Sequence, residues 1–287
     1  MTATVLVNPS SGSAVSMAGE LVDLGVAVQH CEPDRIVGEV RRLCDKETAV
    51  VGVVGGDGTL RSVSGALAGS STALLPIPGG TRNHFARANG IDSVERVMAA
   101  LRGGVPTHVD VAWANEQPFL NNASIGWYAQ MLHTKEQMER KLPRRIARAL
   151  AFVTNLPRAH RFTVEVGSES MHAWLGFVGN GEYGTGPFDL GSRSDLADGL
   201  LDVRFADADP AWARTRITAR ILSSRLDQSP LMSRQLVDQL TVMVGRSSRV
   251  SAALDGELLR LANPLRFRVD PGSLLVMRPP ASDVPLV

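Results

Sequence analysis

The segment VVGVVGGDGTLRSV, from Val50 to Val63, constrains the fold more than any other part of the chain. It begins with an unbroken apolar run that ends in glycines, and Leu60, Val63 and Leu67 then recur at helical spacing. Such a run is typical of a strand buried on both faces of a parallel sheet, and the later spacing predicts an amphipathic helix. The Asp-Gly pair alone would favour a hairpin turn, but a hairpin needs a second strand. A strand, a glycine loop and a helix in succession predict a βαβ unit.

The same alternation extends over the first third of the chain. Short apolar runs predict strands over 4–8, 26–29, 49–54 and 72–78, and periodic apolar residues predict helices over 36–43, 60–67, 84–87 and 93–101. Near Val109 the pattern changes to antiparallel strands with turns, interrupted by helical inserts over Gln130–Asn155 and Pro210–Leu226. We therefore predict an α/β domain with a parallel sheet over 1–109. A β-rich domain would cover 110–287, and its last residues could return to the first domain.

The composition narrows the classes of function. The 30 Lys and Arg residues nearly balance the 29 Asp and Glu residues, so no overall positive field favours nucleic acid as a partner. Cys31 and Cys44 form neither a CxxC nor a CxxH pattern, which argues against a disulfide framework or a zinc site and favours a cytoplasmic location. Because no apolar run approaches the ~20 residues of a membrane-spanning helix, any membrane contact is expected to be peripheral.

Asp57 is the unexpected residue of the glycine loop. Gly55, Gly56 and Gly58, with the helix that follows, would direct backbone N–H groups at an anion, and a carboxylate repels a phosphate. The loop has neither the Gly-Lys-Ser/Thr of a Walker A motif nor the GxGxxG spacing of a dinucleotide-binding turn. A carboxylate beside phosphate is favourable if it holds Mg²⁺ or accepts a proton from a substrate hydroxyl. Both alternatives predict a phosphoryl-transfer site.

Three motifs stand out in the first domain: NPSSG at Asn8–Gly12, VVGGDGTL at Val53–Leu60 and PGGTRNHFAR at Pro78–Arg87. They resemble the catalytic domain of bacterial diacylglycerol kinases and related lipid kinases, a superfamily that includes sphingosine kinases and NAD kinases. Four more follow in family order: NNASIG at 121–126, GNGEYGTG at 179–186, DLADGLLDV at 195–203 and LDGELL at 254–259. The resemblance implies an α/β nucleotide-binding domain followed by a C-terminal β-sandwich. It also implies ATP as phosphoryl donor, Mg²⁺, a lipid substrate at a membrane surface, and a homodimer formed through the β-rich domain.

The resemblance assigns the nucleotide site to the first domain. The residues implied to bind ATP are Asn8, Gly55, Gly56, Asp57, Gly58, Thr59, Ser62, Thr81 and Asn83. The three loops that carry them each follow a predicted parallel strand, and ligands bind in open sheets at the carboxyl ends of strands. Thr81 has a second interpretation as a helix N-cap, which is a common position for threonine.

In the second domain the resemblance implies a proton acceptor and a metal site. The family usually assigns the glutamate of LDGELL, here Glu257, as the base. Asp255 and Asp57 remain alternatives, and we predict Glu257 with Asp57 as its partner or as a metal ligand. Taken alone, the Asp-Gly pair of this motif predicts only a hairpin turn. The resemblance also implies a structural Mg²⁺ site, separate from the ion that accompanies ATP, at Asp195, Asp198 and the backbone carbonyl of Leu200.

The chain departs from the family pattern in two places. His84 stands where the family usually has an aspartate, and the segment between Gly12 and Val26 leaves room for little more than two helical turns. Both departures keep one alternative open, a nucleotide-binding regulator of the same fold without kinase activity. A second alternative, a soluble-substrate kinase of the NAD kinase type, shares the GGDG signal. Arg144, Arg145 and Arg148 lie in a basic stretch that fits either anionic lipid head groups or a solvated helix face.

Overall fold

The computed structural model describes residues 3–126, 138, 161–166, 169–184, 193, 195–207 and 232–280. Two compact units are present. The first unit comprises the chain up to Val111 and from Asp270 onward, and the second unit comprises Ala112–Val269. The predicted fold class, an α/β part with a parallel sheet followed by an antiparallel β-rich part, is confirmed.

The first unit is a parallel sheet with helical connections. Its elements are β1 (Thr4–Val7), α1 (Ala14–Asp23), β2 (Val28–His30), α2 (Ile36–Asp45), β3 (Val50–Gly55), α3 (Asp57–Leu67), β4 (Ala73–Pro78), α4 (His84–Ala88), α5 (Val94–Gly103) and the start of β5 (Val105–Ala114). The strand order is β4-β3-β1-β2, with every pair parallel. All residues of β3 and β4 are buried, as expected for strands covered on both faces.

The segment after Gly12 holds a short helix. α1 forms over ten residues, which is slightly more than the two turns for which the sequence leaves room. Ala14, Ala18 and Leu21 recur at helical spacing and are buried, so a compact apolar stripe is enough to hold the helix against the sheet.

The second unit is antiparallel throughout its described strands. They are the end of β5, β6 (Gln117–Phe119), β7 (Asn122–Gly126), β8 (Phe162–Val166), β9 (Glu169–Asn180), β10 (Leu201–Asp207), β11 (Met232–Val237), β12 (Gln239–Met243), β13 (Arg249–Leu254), β14 (Glu257–Ala262) and the first part of β15 (Leu265–Arg278). The central strand, β9, pairs with β7, β8 and β10. The core includes edge-to-face pairs of Phe119 with Phe267 and of Phe162 with Phe205.

Two features of the second unit bear on the sequence predictions. Strand β11 was not predicted; it pairs with β10, and its side chains are half-buried or exposed. The helical inserts at Gln130–Asn155 and Pro210–Leu226, with Arg144, Arg145 and Arg148, lie outside the described residues apart from Met138, which is helical.

Over the described part of the chain, no helix is both long enough and apolar enough to cross a membrane.

Candidate functional site

Three of the motif loops lie at one edge of the parallel sheet. They follow β1, β3 and β4, which are adjacent and parallel, so their carboxyl ends meet at the same edge. The loops contact one another through the backbone: the Gly79 N–H donates to the Gly55 carbonyl at 3.0 Å, and the Ser13 N–H donates to the Gly79 carbonyl at 2.9 Å. The structure thus brings together the predicted residues of the first unit.

Glycines allow two of these loops to touch. A Cβ added to Gly80 would lie 2.5 Å from the Gly56 Cα, a backbone atom that cannot easily move away. A Cβ on Gly55 would lie 2.7 Å from the Thr59 Cβ. A larger residue at Gly80 would force the second and third loops apart, and one at Gly55 would clash with the first turn of α3, so both glycines serve close backbone packing.

Asn8 and Thr59 connect the first loop to the second. The Asn8 Nδ2 donates to the Thr59 Oγ1 at 2.8 Å, and the Ser11 Oγ lies 3.4 Å from the same hydroxyl oxygen. The Asn8 Oδ1 accepts the Ser10 N–H at 3.0 Å, which shapes the turn after β1. Ser62 is one turn further into α3, where its hydroxyl donates to the Gly58 carbonyl at 3.0 Å.

Asp57 holds the second and third loops together. Its Oδ1 accepts the Phe85 N–H at 3.0 Å and its Oδ2 accepts the His84 N–H at 3.2 Å. These are the first amides of α4, which have no partner within their own helix. The carboxylate therefore caps a neighbouring helix, a contact that the sequence did not reveal. The His84 side chain is exposed.

The third loop is shaped by Asn83. This residue adopts a left-handed conformation, with φ 54°, immediately before α4. Its side chain accepts the Gly80 N–H and donates to the Gly80 carbonyl, both at 2.8 Å. Asn83 is thus the N-cap position, and Thr81 lies outside the helix with an exposed side chain. The alternative interpretation of Thr81 as the N-cap is wrong, because Asp57 caps α4 from another loop.

In the second unit, Asp255 and Glu257 flank a two-residue hairpin turn. Strands β13 and β14 pair at Leu254 and Glu257, and the residues between them, Asp255 and Gly256, have φ 49° and 86°. Positive φ at both positions is the type I′ geometry that favours Asp-Gly. The Asp255 carboxylate is turned toward β7 and accepts backbone N–H groups there, whereas the Glu257 side chain is exposed at the start of β14.

The predicted metal ligands lie in one short loop before β10. The Asp198 oxygens accept the N–H groups of Leu200 and Glu182 at 2.9 and 2.7 Å, and an Asp195 oxygen accepts the Ala197 N–H at 2.9 Å. The Leu200 carbonyl accepts the Gly181 N–H at 2.8 Å. Each of these oxygens retains a lone pair, and a set of two carboxylates and one carbonyl suits a hard cation such as Mg²⁺.

A buried ion-pair network next to this loop was missed. Asp202 has no exposed surface and accepts hydrogen bonds from Arg204 and Arg234, at 2.8 and 2.9 Å for the shortest contacts. Burial raises the pKa of Asp202, but the hydrogen bonds of the two arginines outweigh it and the pKa lies below its ordinary value. Both arginines also donate to the Tyr183 carbonyl. Residues 182–184 of the GNGEYGTG motif are therefore anchored to this ion-pair network.

A family model described as the diacylglycerol kinase catalytic domain matches residues 2–114. Two bacterial relatives are described as "Probable lipid kinase YegS-like". The one from Pseudomonas aeruginosa UCBPP-PA14 is 32% identical over 260 residues, 85% of this chain and 83% of that protein. The one from Pseudomonas putida KT2440 is 29% identical over 272 residues, 92% of this chain and 88% of that protein.

Solved structures from Bacillus anthracis str. Sterne share the fold. A diacylglycerol kinase has a TM-score of 0.65 at 19% identity, with 98% of this chain and 97% of that chain covered. A second protein, proposed to be a diacylglycerol kinase, has a TM-score of 0.73 at 23% identity and 98% of each chain covered. At these identities the likeness bears on the fold alone.

Proposed function

We propose that this chain, which belongs to the diacylglycerol kinase-like family of lipid kinases, transfers the γ-phosphoryl group of ATP to a lipid hydroxyl. The acceptor would be diacylglycerol-like or a sphingoid base. The hydroxyl oxygen forms the new bond to phosphorus, ADP leaves, and the hydroxyl proton passes to a carboxylate. Phosphoryl transfer depends mainly on positioning and on neutralising charge.

The observation that carries the proposal is the meeting of three motif loops at the carboxyl edge of β1, β3 and β4. The N-terminus of α3 lies among them, and the first amides of a helix have no partner within it, so the edge suits the phosphates of ATP. Asp57 and Asn83 would act there by fixing the loops. Asn8, Thr59 and Ser62 contribute the polar side chains.

Mg²⁺ is the proposed metal at two places. An ion bound with ATP would neutralise the phosphate oxygens during transfer. Asp195, Asp198 and the Leu200 carbonyl would hold a second, structural ion that stabilises the loop before β10.

Glu257 is the residue that the local geometry favours as proton acceptor. The carboxylates of Asp57 and Asp255 are turned toward backbone N–H groups of other segments, which gives both residues structural roles. The Glu257 side chain is exposed at the exit of a rigid turn, where a lipid hydroxyl could reach it.

The two other candidate functions receive less support. The regulator without activity was suggested partly by a shortened first helix, and α1 is present. The NAD kinase type shares the glycine loop, but the relatives that cover most of this chain are described as lipid kinases.

The decisive experiment measures transfer from labelled ATP to a mixed-micelle panel of diacylglycerol, monoacylglycerol, phosphatidylglycerol, sphingosine and ceramide. We expect one labelled lipid class, and a loss of at least ~100-fold in kcat for Glu257→Gln. Glu116→Gln is the matched control, because Glu116 is also an exposed carboxylate beside a two-residue turn. Labelling of NAD instead of any lipid would overturn the proposal.

Peripheral binding to anionic membranes is proposed from the clustering of Arg144, Arg145 and Arg148. Replacement of Arg144 and Arg145 by glutamate should abolish sedimentation with anionic vesicles. Unchanged sedimentation would contradict the proposal.

A further inference from the structure

The backbone from the end of β6 to the first residue of β7, residues 120–122, is anchored by the Asp255 carboxylate. The N–H of Leu120 donates to Oδ2 at 2.9 Å, and the N–H groups of Asn121 and Asn122 donate to Oδ1 at 2.8 and 3.1 Å. In return, the Asp255 N–H donates to the Asn122 carbonyl at 2.8 Å. The turn that carries Glu257 is therefore fixed to segment 120–122 by four hydrogen bonds.

The carbonyl side of the same segment is anchored by Arg193. Its Nη1 donates to the Leu120 carbonyl at 2.8 Å and to the Asn180 carbonyl at 2.7 Å, and its Nη2 donates to the Asn121 Oδ1 at 3.2 Å. The guanidinium carbon also lies 5.6 Å from the centre of the Tyr183 ring. Arg193 thus ties together the ends of two strands, β6 and β9, with a planar charged group whose donors suit several acceptors at once.

We propose that Arg193 is a positioning residue for phosphoryl transfer. It acts through segment 120–122 and Asp255 to set the direction in which Glu257 leaves its turn. This inference rests on the proposed function, because it takes Glu257 as the proton acceptor. Removing the guanidinium would leave the carbonyls of Leu120 and Asn180 without a charged donor and loosen the segment. A displacement of ~1 Å at the base is enough to cost ~100-fold in rate.

Tyr183 supports the segment as a neutral partner. Its hydroxyl donates to the Asn121 carbonyl at 2.8 Å, and burial raises the pKa of Tyr183, so this donor keeps its proton. Because the Asn180 backbone N–H also donates to the Asn121 carbonyl, this side of the segment retains partners when Arg193 is replaced. The loss of Arg193 should therefore loosen the segment without unfolding the unit.

The test combines hydrogen exchange with a double-mutant cycle in the full chain. Arg193→Met should speed amide exchange in peptides that cover 120–122 and the 254–257 turn, and should leave peptides of the glycine loops unchanged. It should lower kcat for the lipid found in the panel by ~10- to 100-fold with the KM for ATP unchanged. Arg193→Lys should restore part of the rate, and the exposed Arg246→Met should behave as wild type.

The cycle with Glu257→Gln decides how Arg193 acts. If Arg193 works through Glu257, then Arg193→Met costs little further rate in the Glu257→Gln background. An equal loss in both backgrounds, or unchanged exchange in the 254–257 turn, would overturn the inference even if the protein proves to be a lipid kinase. If Glu257→Gln retains full activity, the proposed base is wrong and the inference falls with it. If no lipid is phosphorylated, the exchange of the turn still reports whether Arg193 controls it.

Discussion

The glycine loops of the first unit and the loops of the second unit are held in opposite ways. In the first unit, backbone touches backbone at Gly56 and Gly80. Neutral contacts such as that of Asn8 with Thr59 add to this, and Asp57 is a single charged link. In the second unit, Asp202, Arg193 and their partners hold the loops by buried or half-buried charge. Under the proposed function the loops of the first unit would receive a triphosphate, and such a site benefits from the amides of a helix N-terminus. Loops that only support a reacting group can be fixed by ion pairs.

The largest expected effect comes from removing the charge at the centre of the second unit. Asp202→Asn leaves Arg204, which is almost fully buried, without its counterion, and should lower the free energy of unfolding by about 3–5 kcal/mol. All four tryptophans lie in the second unit, so tryptophan fluorescence during urea unfolding reports this loss. The exposed Asp238→Asn is the control. Equal midpoints for the two variants would show that charge does not hold these loops.

The next effect tests the backbone contact of the first unit. Gly80→Ala places a Cβ against the Gly56 Cα and should weaken ATP binding by about 2–3 kcal/mol, measured by calorimetric titration with Mg²⁺ present. The tryptophan transition of the second unit should not move. Gly38→Ala, where a Cβ meets nothing within 4 Å, should bind ATP normally and stabilise α2 by about 0.5–1 kcal/mol. Normal ATP affinity in Gly80→Ala would contradict the close-packing argument.

The same contrast explains what could be predicted from the sequence. The strands and loops of the first unit could be located because apolar runs, glycines and helical periods are local signals. The contact of Asp57 with α4 joins residues 27 and 28 positions apart, and no local pattern records it. In the second unit, Asp202 and Arg204 alternate with apolar residues of β10 as if they faced solvent, yet both faces of that strand are buried. Their partner Arg234 lies on β11, the strand that was missed.

A smaller effect is expected at the one carboxylate of the glycine loops. Asp57→Asn keeps one acceptor oxygen but turns an NH₂ toward an amide of α4, at a cost of about 1.5 kcal/mol. Amide exchange at His84 and Phe85 should become faster while exchange in β3 stays slow. If exchange is unchanged but phosphoryl transfer is lost, Asp57 acts on metal or substrate and not as a link between loops.

The smallest effect is the pH dependence of the second unit. The pKa of Asp202 lies below its ordinary value of 3.8 in the folded protein, because the hydrogen bonds from Arg204 and Arg234 outweigh the cost of burial. Below pH 3.8 Asp202 becomes protonated in the unfolded chain while it stays ionised in the folded chain. Its contribution to the free energy of unfolding therefore declines as the pH falls from 3.8 through the pKa of the folded state. Above pH 3.8 Asp202 contributes a constant amount to the free energy of unfolding. The urea midpoints of the wild type and Asp202→Asn, followed by tryptophan fluorescence, should therefore keep a fixed separation near neutral pH and approach each other in acid. Parallel curves down to pH ~3 would mean that the arginines hold the loops without depending on the charge of Asp202.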